Sequence, residues 1–128
     1  MSIKVVHTIA EVKETVAKWR KKGETVGYDG EYLCKEDIRV AVVPIGYSDG
    51  LYKNFSGKNV IINSKKYQII GAICMGMTMI KVDKDVSVGD EVIFIGGDLT
   101  PKKVARSVGL TTTELLSSFD SNIKRIYK

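Results

Sequence analysis

Short runs rich in Val and Ile dominate the middle of the chain. They predict five strands, at residues 39–45, 59–63, 67–73, 78–82 and 91–95. Clusters of Gly, Asn, Asp or Ser bound each run, and the connections are too short to hold crossover helices. The pattern therefore predicts a mainly β fold: a small, mostly antiparallel barrel-like or sandwich domain with short flanking helices.

Two turns inside this region have their own signals. The segment INSKKYQ predicts a hairpin turn between the second and third strands. The segment VSVGDEV predicts a tight turn at Gly89 and Asp90 that leads into the last strand of the set. Both turns favour pairing between strands that are neighbours along the chain.

A helix is predicted before the sheet, over residues 9–22. Thr8 and Glu11 form a T-x-x-E capping box, apolar residues recur at helical spacing, and Gly23 follows a basic end. This helix has no functional interpretation from the sequence.

Two short helices and a last strand are predicted after the sheet. The first helix covers residues 101–108, with a threonine cap, a proline at its first position and Gly109 after its end. The second begins at a capping box from Thr111 to Glu114 and has an apolar stripe of two leucines and a phenylalanine. A final strand is expected around residues 123–127.

Length, charge and cysteine content indicate one domain, residues 1–128. The chain has 128 residues with 44% hydrophobic content, and its formal net charge of +5 is scattered rather than clustered. No apolar run approaches the 18 or so residues of a transmembrane helix, so we expect neither a membrane segment nor a signal peptide. Cys34 and Cys74 lack a CxxC spacing, which favours reduced thiols in a cytoplasmic protein.

Self-contained catalytic motifs are missing. His7 is the only histidine, which argues against a multi-histidine metal site and a Ser-His-Asp triad. The glycine-containing segments IGGDLT and GYDGEY lack the spacings of phosphate-binding loops, and the pair Asp83 and Asp85 has no partner pattern of a glycosidase. We therefore expect no metal and no nucleotide site in this chain.

The run VAVVPIGYSDG ends a buried strand by placing Tyr47 on a turn. A rigid strand that stops at Gly46 aims the phenol outward, while Asp49 and Gly50 close the loop behind it. Together with IIGAICMGM, VGDEVIFIG and a closing KRIYK, this run resembles the C-terminal domain of the alanine racemase family, in order over nearly the whole chain.

The resemblance implies a pyridoxal-phosphate enzyme, an isomerase that supplies D-alanine for peptidoglycan precursors. Family members have an N-terminal (β/α)8 barrel whose lysine holds the cofactor, and a mostly β C-terminal domain. Two chains pair head to tail, so the C-terminal domain of one completes the active site in the barrel of the other. The partners implied are the barrel of a second subunit and a small amino-acid substrate. This sequence contains neither the barrel nor its lysine, so it carries half of such an active site.

The resemblance also implies roles for two residues. Tyr47 corresponds to the tyrosine that serves as base on one face of the substrate, opposite the barrel lysine. Met75 corresponds to a methionine that lines the pocket and offers its backbone N–H to the substrate carboxylate. Two bases on opposite faces suit racemisation, because the α-proton leaves one face and returns to the other. Phenols ordinarily titrate at a pKa of about 10, so such a base needs cationic or hydrogen-bonding neighbours.

Three positions depart from the family pattern. Gly76 stands where the family usually has aspartate, and Ala72 stands where it usually has arginine; neither is given a role. Thr113, in LTTTE, stands where the family commonly has a tyrosine near the cofactor phosphate. A smaller hydroxyl side chain there predicts a substrate-binding position that admits serine, as in the racemase branch associated with vancomycin resistance. Alternatively, the Thr113 side chain serves the helix start.

Two other functions remain open from the sequence. A free-standing β-domain for binding or assembly would need no catalysis. The segment VARSVGLTTTELLSS also has the layout of a helix-turn-helix, but its second helix offers no Arg or Lys to DNA.

Overall fold

An antiparallel sheet organises the structure, a computed structural model that describes residues 18–20, 25–26, 32–33 and 35–119. The strands are β1 (Lys18–Arg20), β2 (Thr25–Val26), β3 (Tyr32–Leu33), β4 (Ile38–Val43), β5 (Asn59–Ile62), β6 (Lys65–Ile70) and β7 (Thr78–Val82). The helices are α1 (Pro101–Ser107) and α2 (Thr112–Ser118). Five strands form the main sheet in the order β1-β4-β7-β6-β5, with every neighbouring pair antiparallel, and β2 pairs with β3 separately. The predicted mainly β, antiparallel class is confirmed.

The main core lies on the face of the sheet that receives Ala41 and Val43 from β4 and Ile80 from β7. Val104 of α1 and Leu115 of α2 belong to the same buried cluster, so both helices pack on this face. A smaller buried cluster of Ile38, Val40 and Ile70 lies on strands of the same sheet, with Met79 against it. Strand β4 contributes to both clusters, and this explains its continuous run of apolar residues.

Several predicted elements are confirmed within one to three residues. The hairpin between β5 and β6 turns through Asn63 and Ser64, which have φ values of 50° and 66°. Positive φ at both central residues is typical of the tight hairpin turn that matches strand twist. The caps of both helices are present, since Thr100 accepts from the Lys103 N–H and Thr111 accepts from the Glu114 N–H.

Strand ends differ from the prediction where the backbone cannot continue the ladder. The predicted strand 39–45 ends at Val43, because Pro44 has no N–H and the Ile45 N–H donates back to the Val43 carbonyl at 2.8 Å. The predicted strand 67–73 covers Lys65–Ile70 and stops before Gly71, whose φ is 69°.

The predicted strand at 91–95 is wrong. Ile93 makes only an isolated bridge with Ile61, through two N–H to carbonyl bonds of 2.9 Å. Just beyond it, Gly96 and Gly97 have φ values of 152° and 55°, and the chain turns away from the sheet.

The predicted helix at 9–22 is wrong over Lys18–Arg20, which forms β1 on the edge of β4. The backbone groups of that edge need partners, and pairing with them overrides helical spacing in the sequence. The rest of this predicted helix lies outside the described residues, as do His7, Cys34 and the predicted strand at 123–127. Cys74 is a free thiol. Among the described residues, no helix has both the length and the apolar character that a membrane crossing requires.

Candidate active-site half at the Tyr47 turn

The two segments that carry the sequence motifs meet in space through backbone hydrogen bonds. The Tyr47 N–H donates to the Cys74 carbonyl at 3.0 Å, and the Ser48 N–H donates to the Met75 carbonyl at 3.0 Å. The Ser48 hydroxyl donates to the same Met75 carbonyl at 2.7 Å. These three bonds fix the backbone of Tyr47 relative to that of Met75, and we call this contact the Tyr47–Met75 junction.

The turn that carries Tyr47 is closed from within. Residues Tyr47–Asp49 form a single turn of 3-10 helix, and a carboxylate oxygen of Asp49 accepts from the Gly46 N–H at 3.0 Å. The Gly46 carbonyl accepts from the Asp49 N–H at 3.0 Å and from the Leu51 N–H at 3.2 Å. Because Leu51 is fully buried, the turn is anchored in the core at its end.

At two glycines of the motif, neighbouring backbone atoms leave no space for a side chain. A Cβ on Gly46 would lie 2.1 Å from the Cys74 carbonyl oxygen and 2.5 Å from that of Met75. Gly50 has a φ of 95°, and a Cβ there would lie 2.0 Å from the Ser118 carbonyl oxygen at the end of α2. The turn is therefore packed between the Met75 loop on one side and α2 on the other.

The side chains at the junction are open to solvent. Tyr47 is 43% exposed and Met75 is 62% exposed, although Ile45 and Leu51 on either side of the turn are fully buried. Met75 and Gly76 form the tip of a loop closed by the Cys74 N–H, which donates to the Met77 carbonyl at 3.0 Å. Within the described part of the chain, the Met75 N–H has no acceptor. The junction thus presents a phenol and a free backbone donor.

A lysine accompanies the phenol. The ammonium nitrogen of Lys53 lies over the Tyr47 ring, 5.6 Å from its centroid. Sequence reasoning missed Lys53, which is an exposed residue in a loop and belongs to none of the motifs.

Thr113 lies in the first turn of α2 but makes none of the hydrogen bonds of the helix cap. The cap is made by Thr111, whose hydroxyl accepts from the Glu114 N–H at 3.2 Å, and by Glu114, which accepts from the Thr111 N–H at 3.2 Å. Thr113 is exposed, and no hydrogen bond of its hydroxyl is present among the described residues. The alternative in which Thr113 serves the helix start is therefore wrong.

No group of three or more His, Cys, Asp or Glu side chains with the arrangement of a metal site occurs in the described ranges. The junction offers donors to an anionic group and one proton-accepting oxygen.

Comparison with known proteins gives the family. The model of the alanine racemase C-terminal domain matches residues 5–127. The alanine racemase of Lactococcus lactis subsp. lactis (strain IL1403) is 36% identical over 131 residues, covering 99% of this chain and 34% of that protein. The chain belongs to the alanine racemase family. It matches the C-terminal domain of the family and spans about a third of the length of such relatives.

Solved structures agree with this assignment. The alanine racemase from E. faecalis superposes with a TM-score of 0.82 at 29% identity, over 99% of this chain and 33% of that chain. The alanine racemase of Clostridium difficile 630 superposes with a TM-score of 0.80 at 32% identity, over 88% of this chain and 30% of that chain. The enzyme from Bartonella henselae, at 28% identity and a TM-score of 0.82 over 89% of this chain and 33% of that chain, contains covalently bound pyridoxal phosphate. The fold of this chain is that of the alanine racemase C-terminal domain.

Proposed function

We propose that this domain completes the active site of a pyridoxal-phosphate-dependent racemase that interconverts L- and D-alanine. The observation that carries the proposal is the Tyr47–Met75 junction, where buried anchors hold an exposed phenol beside a free backbone N–H. The parent enzyme, meaning a protein that joins this domain to a cofactor-binding barrel, works as a head-to-tail homodimer in the cytoplasm. Each domain then faces the barrel of the partner subunit.

Tyr47 supplies the base for one face of the substrate. Racemisation removes the α-proton from one face and returns a proton to the other, so two groups on opposite sides perform it. The phenolate oxygen of Tyr47 takes the proton from Cα in one direction and returns it in the other, while the barrel lysine serves the second face. The cofactor, when bound in the barrel, supplies the electron sink that makes the α-proton removable.

Met75 supplies a binding contact for the substrate. Its N–H has no acceptor in the described part of the chain, and its carbonyl is fixed by two donors from Ser48. A backbone donor with fixed position suits a carboxylate, because it loses little entropy when the ligand binds. The Met75 N–H therefore orients the carboxylate while Tyr47 acts on Cα.

Thr113 is the residue of this domain that we propose sets the size of the side-chain pocket. It is exposed and takes no part in the helix cap, so its side chain is available to a partner or substrate. A threonine in place of a tyrosine leaves more room, which supports serine as an additional substrate.

The other two candidate functions have less support. For DNA binding, α2 has the sequence TTELLSS, with one acidic residue and no basic one. For a free-standing binding module, the family match over residues 5–127 includes the turn and loop of the junction, which binding alone does not require.

The test compares two tyrosine variants of the parent enzyme. Tyr47→Phe keeps the ring and removes the hydroxyl, and loss of a general base typically lowers turnover by about 10²- to 10⁴-fold. Tyr52→Phe removes the hydroxyl of another exposed tyrosine, at 44% exposure, and is expected to stay within about twofold of the unmodified enzyme. Racemisation of alanine is followed by circular dichroism, with cofactor absorbance as the control for assembly. Equal small losses in both variants would contradict the proposal.

A further inference from the structure

The side chain of Lys53 lies against the ring of Tyr47. Its ammonium nitrogen is 5.6 Å from the centroid of the Tyr47 ring, within the range at which a cation is attracted to an aromatic face. A phenol base is more effective when positive charge lies close to the phenolate. Lys53 provides such a charge from within this chain.

The position of Lys53 is fixed by the backbone around it. Lys53 begins a turn of 3-10 helix, Lys53–Phe55, whose last residue is 2% exposed and belongs to the core. The Ser56 N–H donates to the Lys53 carbonyl at 3.1 Å, and the side-chain amide of Asn54 donates to the Val108 carbonyl at the end of α1. Leu51 anchors the chain on the other side of Lys53. The backbone that carries the Lys53 side chain is therefore held in place close to Tyr47.

Among the described residues, no carboxylate competes for Lys53. In the described part of the chain, ion pairs engage Lys65 with Asp83 and Asp85, and Lys81 with Glu36, but none engages Lys53. The recorded partner of its ammonium is the Tyr47 ring. An unpaired cation next to the phenol is available to respond when charge develops on the phenolate oxygen.

We propose that Lys53 is a positioning residue for Tyr47: it holds the ring at the junction and stabilises the negative charge of the phenolate that accepts the α-proton. The inference rests on the proposed function. The proton moves from the substrate Cα to the phenolate oxygen of Tyr47 and back, and Lys53 takes no part in the proton transfer. Opposite charges attract, so the ammonium interacts more strongly with Tyr47 when negative charge develops on its oxygen.

The experiment is a double-mutant cycle in the parent enzyme. Lys53→Met removes the charge and keeps an unbranched side chain, Lys53→Arg keeps the charge, and Lys66→Met removes an equal charge from the exposed face of β6 as a matched control. A cation–aromatic contact corresponds to about two- to fivefold when exposed and about thirtyfold when desolvated. We expect Lys53→Met to lower kcat by a factor in this range with KM unchanged, Lys53→Arg to restore kcat to within about twofold, and Lys66→Met to have no effect.

The Tyr47→Phe background separates the two proposals. If Lys53 acts through the phenolate, adding Lys53→Met to Tyr47→Phe causes no further loss of kcat. A loss of equal size in both backgrounds, or no loss in either, would overturn the role of Lys53 while leaving that of Tyr47 intact. If Tyr47→Phe alone keeps full activity, the result contradicts the proposed function of Tyr47 and with it the role of Lys53. Cofactor absorbance and melting temperature are measured for every variant, and Lys53→Gln, a second neutral substitution, keeps the test decisive if the Met variant unfolds.

Discussion

At the scale of single residues, Gly46 sets how closely the two motif segments approach. Its backbone contacts the carbonyls of Cys74 and Met75 at distances that leave no space for a side chain. Gly46 has an extended φ of −152°, so contact rather than backbone freedom explains the glycine. The same contact allows the hydrogen bonds that fix Tyr47 and Ser48.

Gly46→Ala is expected to break the junction. The added Cβ must push the Met75 loop away, and loss of two or three hydrogen bonds at about 0.5–1.5 kcal/mol each lowers the free energy of unfolding by about 1–4 kcal/mol. Gly76→Ala is the matched control, because a Cβ at Gly76 meets nothing within 4 Å. Urea denaturation of the two variants measures the difference. An equal effect of both substitutions would contradict the role assigned to Gly46.

Thr113→Tyr is expected to change substrate preference without changing stability. The helix cap is made by Thr111 and Glu114, so the substitution leaves it intact. Added bulk in a small pocket discriminates by about 1–3 kcal/mol, or about 10- to 200-fold in specificity. The ratio of kcat/KM for serine to that for alanine should fall by a factor in this range. An unchanged ratio would contradict the assignment of Thr113 to the substrate pocket.

The sequence motifs predicted Tyr47 and Met75 as site residues. They did not predict that the two segments are hydrogen-bonded to each other, which the structure shows. Lys53 was missed because a lone lysine in a loop has no periodicity or cap signal. Its proximity to Tyr47 depends on the burial of Leu51 and Phe55, which brings the loop back past the ring.

At the scale of elements, the sequence correctly predicted the features that depend on residues close to one another in the chain. The caps at Thr100 and Thr111 and the hairpin after β5 depend on neighbouring residues, and each is confirmed. The segment Lys18–Arg20 was predicted wrongly because its partner, β4, lies about twenty residues away in sequence. The spacing of apolar residues within a segment carries no information about an unpaired strand edge elsewhere in the fold.

The ends of β6 and β7 are linked by a charged network that makes stability depend on pH. The Asp85 N–H, donating to the Asp83 carboxylate at 2.9 Å, holds the pKa of Asp83 below its usual value of 3.8, assisted by the Tyr67 hydroxyl at 3.0 Å and the Lys65 ammonium. A carboxyl with a lowered folded pKa contributes stability above its unfolded pKa and loses it as the pH falls through the folded value.

We therefore expect the contribution of Asp83 to stability to be complete above about pH 5 and to decline below pH 3.8. In Asp83→Asn, the melting temperature should fall at pH 7 and should differ less from that of the unmodified chain at pH 2.5. Asp98→Asn, at an exposed carboxylate elsewhere, is the control. A difference from the unmodified chain that stays constant between pH 7 and pH 2.5 would show that the Asp83 network does not titrate.

At the scale of the whole molecule, the Tyr47–Met75 junction rests on the buried core. The turn and the loop of the junction are held by the core through Ile45, Leu51 and Thr78, whose hydroxyl donates to the Ile45 carbonyl at 2.6 Å. The Tyr47 phenol is exposed, and the Met75 N–H has no acceptor within the described part of the chain. Family relatives are about three times as long as this chain.

The central claim is that Tyr47 and the barrel lysine each serve as base on one face of the substrate. It is tested most directly by exchange of the α-proton with solvent deuterium in the parent enzyme that carries Tyr47→Phe. The kcat/KM for racemisation must fall equally in both directions, because the two alanine enantiomers have the same free energy. Exchange without inversion has no such constraint. We predict that Tyr47→Phe retains exchange with retained configuration for the enantiomer whose α-proton faces the barrel lysine, and loses about 10²- to 10⁴-fold for the other. Equal exchange rates for both enantiomers, measured by proton NMR, would contradict the assignment of Tyr47 as the base of one face.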